Sequence, residues 1–187
     1  MRVSSGMTRH AFLAASAALS ACAYTPPDAP PLDTSEAAAT ELTLLDASGR
    51  ARAEAELDAE DGALSVRVEA RDLAPGVYAA HVHAVGRCDP PAFESAGPHW
   101  NPTGAEHGRE NPQGAHLGDL PNLLVGADRR GSVEYRIAGA SLRGSSYPVA
   151  DADGAALIVH ARSDDYRTDP SGNAGARLAC AVIAPAR

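Results

Sequence analysis

The chain has 187 residues, a formal net charge of −8, 44% hydrophobic residues and only 4% aromatics. That is one domain's worth of sequence, long enough to bury a core that small side chains must largely fill, and too balanced in charge for wholesale disorder. All sixteen basic residues are arginines, set against twenty-four acids, which leaves no positive surface for a phosphate backbone and excludes nucleic acid as the expected partner.

Arg2, Arg9 and His10 precede an apolar run over residues 11–21 that is too short to span a bilayer and ends in Leu19-Ser20-Ala21-Cys22. Residues 1–21 therefore read as an export signal. The small residues before Cys22 resemble the lipobox of bacterial lipoproteins, in which the cysteine takes a diacylglyceryl group and becomes the new N-terminus. An ordinary secretory signal cut near Ala21 or Ala23 is the alternative. Either way the protein is expected outside the cytoplasm, in the periplasm or cell envelope, touching membrane only through a lipid at Cys22. Loss of the signal removes two arginines and no acid, leaving fourteen bases against twenty-four acids, a charge of −10. Residues 22–40, with four prolines and no sustained apolar period, read as a tether.

From residue 41 to 187 the pattern is that of one domain of short alternating segments. Leu42 and Leu44, then Ala51, Ala53, Ala55 and Leu57, predict a hairpin turned at Ser48-Gly49. Leu64, Val66, Val68 and Ala70 alternate with Ser65, Arg67, Glu69 and Arg71, giving a half-buried strand entered through Asp61-Gly62. Further strands are expected at 77–83, 133–137, 155–160 and 178–183, with a weaker one at 123–125. Residues 86–122 and 163–176, rich in Gly, Pro, Asn, Asp and Ser, are long loops. Loops this long in a compact domain are usually functional or disordered, and metal ligands, a disulfide or both could supply the order their backbone lacks. The fold class is all-β, with about seven or eight strands.

Outside the signal, the histidines are His81, His83, His99, His107, His116 and His160. His81 and His83, two apart on a strand, project from one face and can share an ion, although such a pair alone is more often structural. His160 ends another strand and can approach the same face. Three imidazoles favour copper or zinc over magnesium or calcium. His99, His107, His116 and Asp119 form a second set, matching a closed tetrahedral shell of the structural zinc type. With Cys22 lipidated, Cys88 and Cys180 remain as an even pair in an oxidising compartment, which favours one disulfide over two reduced thiols. Closing a loop of roughly ninety residues, it would contribute about 4–5 kcal/mol by chain entropy.

Together, His81-Val82-His83, Ser95-Ala96-Gly97-Pro98-His99-Trp100-Asn101-Pro102, His107-Gly108, His116-Leu117-Gly118-Asp119-Leu120, Val159-His160 and Gly172-Asn173-Ala174-Gly175-Ala176-Arg177-Leu178-Ala179-Cys180 resemble the copper,zinc superoxide dismutases. The resemblance implies an eight-stranded Greek-key β-barrel or sandwich with two long functional loops, and one copper and one zinc per subunit. His81, His83, His99 and His160 would bind copper, and His99, His107, His116 and Asp119 zinc, with His99 a bridging imidazolate. It further implies dismutation of two superoxide anions to dioxygen and hydrogen peroxide by Cu(II)/Cu(I) cycling, an antioxidant activity in which Arg177 guides the anion and His99 exchanges a proton. Asp164 takes the place of the family's aspartate that links a copper ligand to a zinc ligand, with Asp165 a competitor one residue away. The subunit would be a monomer or part of a homodimer.

Two features depart from the family. Tyr78, Ala79 and Ala80 stand where a histidine, a glycine and a large apolar residue are usual, so packing beneath the copper site is expected to differ. The 163–176 loop lacks the Lys and Glu pattern of eukaryotic members, with Arg167 a partial substitute. The non-enzymatic alternatives are a periplasmic copper-binding or buffering module on the same fold, and a lipid-tethered domain stabilised by zinc alone.

Overall fold

The structure, a computed structural model, describes residues 39–187 apart from 145. The export signal, Cys22 and all but the end of the tether lie outside the described residues. Nine strands are described: β1 (Thr40–Leu45), β2 (Ala51–Glu60), β3 (Ala63–Ala70), β4 (Gly76–Tyr78), β5 (Ala80–His83), β6 (Leu123–Val125), β7 (Ser132–Ala138), β8 (Ala155–His160) and β9 (Arg177–Ala184). A single 3-10 turn, Glu94–Ala96, lies in the first long loop. The expected 77–83 strand is split at Ala79 into β4 and β5, which belong to different sheets.

Seven strands form one antiparallel sheet in the order β5-β8-β9-β1-β2-β3-β7, and β4 pairs with β6. β6 turns into β7 through a tight bend in which the Gly126 N–H donates to the Arg130 carbonyl at 2.8 Å, and β4 runs directly on into β5. The circuit thereby closes on itself, and the pairings β3–β7, β5–β8 and β9–β1 between strands distant in sequence give the Greek-key β-barrel. The expected hairpin of β1 and β2 forms, with Leu44 opposite Ala53 and Leu42 opposite Ala55.

Alternation places Leu64, Val66, Val68 and Ala70 of β3 inside the barrel with Leu44, Leu57, Leu123, Ile137, Leu157 and Trp100. Alanines at 53, 55, 80, 155, 179 and 181 complete this core, as a chain with few aromatics requires. All six residues of β8 are buried. Leu157 and Val159 face the barrel interior, whereas Ala156 and Ile158 face a second cluster formed with Phe93, Ala96 and Cys180. Both faces of this wall are therefore covered, the outer one by the first long loop. Cys88 and Cys180 are joined, with Cα atoms 5.8 Å apart, and pin that loop to β9.

Because Leu157 is fully buried, Leu157→Ala is expected to lower stability by about 2–5 kcal/mol. Urea unfolding would show a lower midpoint at unchanged slope. Val77→Ala, at a position 42% exposed, should stay within about 0.5 kcal/mol of wild type.

Candidate metal centre

On β5, Ala80 and Val82 point into the barrel core, so His81 and His83 point to its outer face. β5 is also an edge of the seven-stranded sheet, and the first long loop covers that edge twice. The Trp100 N–H donates to the Val82 carbonyl at 2.8 Å, the Val82 N–H to Gly118 at 2.9 Å and the Ala84 N–H to Pro98 at 2.9 Å. These bonds set His99 opposite His83 and Asp119 opposite His81 as isolated bridges. His160, in step with Ala156 and Ile158 on β8, arrives on the same outer face.

Two quartets result, each with donor atoms within 4.8 Å of one another: His81, His83, His99 and His160, and His99, His107, His116 and Asp119. All six histidines and Asp119 singled out in the sequence are brought together, and His99 belongs to both sets. In the second quartet the Nδ1 atoms of His99, His107 and His116 lie 2.9, 3.0 and 3.2 Å from the Asp119 carboxylate. A tetrahedron with bonds of about 2.0 Å has edges of about 3.3 Å, and these three separations from the carboxylate are of that size. In the first quartet His83 Nε2 and His160 Nε2 are 3.3 Å apart.

The rings are aimed by their other nitrogens. His83 Nδ1–H donates to the Gly97 carbonyl at 2.9 Å and His160 Nδ1–H to Gly175 at 3.3 Å. Asp164 joins the quartets, its two oxygens lying 2.9 Å from His81 Nε2 and 3.0 Å from His107 Nε2. Asp165 is exposed and accepts from Thr168 and Asn173, so the linking aspartate is Asp164. Among the described residues, His81 Nδ1 and His99 Nε2 are buried ring atoms without a hydrogen-bond partner, and His107 Nδ1 makes no hydrogen bond although it lies 3.0 Å from the Asp119 carboxylate. All three belong to the quartets, and an unsatisfied buried nitrogen such as His81 Nδ1 or His99 Nε2 is costly unless something is coordinated there.

Electrostatics differ between the two sets. Burial, reinforced by neighbouring histidines and by Arg177, pushes His160 down to about 3 and His83 well below its ordinary value. Burial likewise lowers His99 to about 4 against the pull of Asp119. These rings are neutral, as ligands must be. Burial opposes charge at His107 too, but Asp119 and Asp164 together raise it to about 9. Asp119 is itself held far below the usual carboxylate range by His107, His116 and His99, despite its burial.

Arg177 reaches this face through a bulge. The β8–β9 register slips between Val159 and His160, placing Arg177 opposite His160 and leaving Leu178 packed against the barrel core. Without the bulge Arg177 would share the inward parity of Ala179 and Ala181. Instead its Nη1 and Nη2 donate to the carbonyls of Phe93 and Gly97, each at 2.6 Å, and the Gly97 carbonyl serves both Arg177 and His83. Arg167, by contrast, is exposed and paired with Glu110, which offsets its charge as a guide for anions. Tyr78 sits in the core with its hydroxyl donating to the Ala74 carbonyl at 2.8 Å, and Ala80 and Val82 pack beneath the histidines.

Asn122, Tyr166 and Asp169 carried no sequence signal, whereas Gly172 opens the motif that runs to Cys180. The Asn122 side chain brackets the backbone of Asp164, donating to its carbonyl at 2.9 Å and accepting its N–H at 2.8 Å. The Asn122 N–H donates to the Tyr166 hydroxyl at 2.7 Å, and the His107 N–H to Asp169 at 2.7 Å. Gly172, at φ +59°, lies against Asp164; a Cβ there would overlap the carboxylate and come within 2.6 Å of His107 Nε2.

A sequence model of the family described as copper/zinc superoxide dismutase (SODC) matches residues 47–183. The chain belongs to the copper/zinc superoxide dismutase family. Superoxide dismutase (Cu-Zn) 1 of Aquifex aeolicus (strain VF5) is 36% identical over 148 residues, covering 77% of this chain and 86% of that protein. Superoxide dismutase-like protein YojM of Bacillus subtilis (strain 168) is 44% identical over 128 residues, or 67% of this chain; the match spans 65% of that relative, just under two-thirds of its length. Among solved structures, the Cu/Zn superoxide dismutase from Brucella abortus is similar at a TM-score of 0.60 and 28% identity, covering 78% of this chain and 99% of that one. Copper and zinc are the family's cofactors, and the two quartets, with the unpartnered Nδ1 of His81 and Nε2 of His99, are donor sets that fit them.

Adding zinc to the metal-free protein near neutral pH is expected to release about one proton per chain, because His107 must give up the proton it holds. The yield should vanish above about pH 9, where His107 is already neutral. Proton counting in a pH-stat checks this; release independent of pH in that range would contradict it.

Proposed function

We propose that this protein is a superoxide dismutase, converting two superoxide anions and two protons to dioxygen and hydrogen peroxide. The observation that carries the reading is the complete first quartet beside Arg177: four buried imidazoles with a guanidinium fixed at their rim. An all-imidazole set suits a redox copper ion, and the carboxylate-containing tetrahedral set suits zinc, which has no second oxidation state to offer. Copper, when bound, supplies the one-electron exchange between the two substrate anions.

The chain's own residues do the rest. Arg177 attracts and docks the small anion, its two bonds to loop carbonyls holding the guanidinium in one place so that little ordering is needed on binding. His99 is the residue placed to hold a proton, since its Nε2 faces the first quartet unpartnered while Nδ1 stays beside Asp119. Asp164 fixes the orientation of both His81 and His107. The covered outer face excludes water from the rings.

The competing reading is a copper-binding module without turnover, which the name of the Bacillus relative, dismutase-like, keeps in view. A buffer has no use for an anion dock, so the two readings part at Arg177. In the protein loaded with copper and zinc, Arg177→Ala should lower kcat/KM roughly tenfold or more while keeping both metals. His160→Ala should lose copper and turnover together. Stoichiometric metal binding with no dismutation in the wild type would establish the buffering module instead.

We also propose that the protein is an exported lipoprotein of the cell envelope, anchored through Cys22, on the strength of the Leu19-Ser20-Ala21-Cys22 run. Metabolic labelling with a tagged fatty acid should mark the wild type and fail in Cys22→Ser. Labelling that survives the substitution would sink the assignment.

A further inference from the structure

The first long loop leaves the edge of β5 after Trp100 and rejoins it at Gly118, so His107 and His116 ride on an excursion that the edge bonds themselves do not hold. Arg109 lies two residues beyond His107 within that excursion and reaches out of it in two directions. Its Nη1 donates to the Asp119 carbonyl at 3.3 Å. Its guanidinium carbon stands 4.4 Å from the centroid of the Tyr135 ring. Tyr135 is on β7 and packs against the barrel core, so it is a fixed platform. A guanidinium over an aromatic face is held by the ring quadrupole as well as by dispersion, and an arginine suits this role better than a lysine. Among the described residues Arg109 makes no ion pair with a carboxylate, so the stack and the carbonyl bond are what define its position.

We infer that Arg109 is a positioning residue for the zinc site, clamping the His107–His116 excursion between the Asp119 backbone and Tyr135 and so slowing zinc escape. Asp119 and its neighbours reach the barrel edge through backbone bonds, and Arg109 extends that attachment to the arm bearing the two loop histidines. The inference rests on zinc occupying the second quartet.

The test uses the full chain, wild type and the variants Arg109→Gln, Arg109→Lys, Tyr135→Leu and the Arg109→Gln/Tyr135→Leu double. Zinc release from the metal-loaded protein into a chromogenic chelator should accelerate roughly 3- to 30-fold in Arg109→Gln. Tyr135→Leu should accelerate it less, Arg109→Lys should restore part of the loss, and the double variant should be no faster than Arg109→Gln, the signature of one shared interaction. In the metal-free protein, deuterium uptake over residues 101–118 should quicken in Arg109→Gln while the β2–β3 hairpin keeps its wild-type protection. Unchanged zinc release and uptake in Arg109→Gln, or fully additive effects in the double, would overturn the clamp. Equal zinc affinity in wild type and Asp119→Asn would instead overturn the placement of zinc, and the metal-free exchange would still judge the clamp.

Discussion

A strand offers its side chains alternately to two faces, and in the β5–β8 wall both faces are buried. One face fills the barrel with Ala80, Val82, Leu157 and Val159; the other carries His81, His83 and His160 beneath the first long loop. Everything else about the site depends on that second burial. It turns histidines that would be solvated on an open sheet into buried, unhydrated donors. Imidazole nitrogens without water must then be satisfied by protein or by metal.

The covering loop has almost no regular backbone, so its order comes from discrete attachments. The disulfide ties Cys88 to β9, Arg177 holds the carbonyls of Phe93 and Gly97, and backbone bonds lay residues 98–100 and 118–120 along the open edge of β5. Occupying that edge also removes a site for unwanted strand pairing. The second loop is fastened to the first by Asn122, Tyr166 and the Asp164 carboxylate. Several of these contacts do two jobs: the Gly97 carbonyl aims a histidine and fixes the arginine, and Asp164 aims one ring in each quartet. Geometry at one quartet is thereby coupled mechanically to the other.

The two quartets differ in charge as well as in composition. Burial dominates at His83, His99 and His160 and holds those three rings uncharged before a metal enters. At His107 two carboxylates outweigh burial, and metal must displace a proton. A cation at the first set adds to the charge of Arg177, which gives a small region of positive potential on a protein whose net charge is strongly negative. The pairing of Arg167 with Glu110 leaves that focus to Arg177 and the bound metal.

Much of this was legible in the sequence. Period-two alternation gave the strands because a sheet with one buried face imposes it, and the ligand histidines stood out because six imidazoles at such positions have no ordinary structural use. The motif around Cys180 marked Arg177, and Asp164 was readable to within one residue. The bulge at Leu178 was not, since strand parity alone sends Arg177 into the barrel, and the choice between Asp164 and Asp165 needed burial to settle it. Asn122, Tyr166 and Arg109 are ordinary loop residues until the loops are folded. The sequence by itself determined which chemical groups are present, their order and the family, because ligand type and local periodicity are properties of neighbouring residues. Only the tertiary structure decided which face each group occupies, which nitrogen is left free and which carboxylate is buried, because those depend on contacts between segments far apart in the chain.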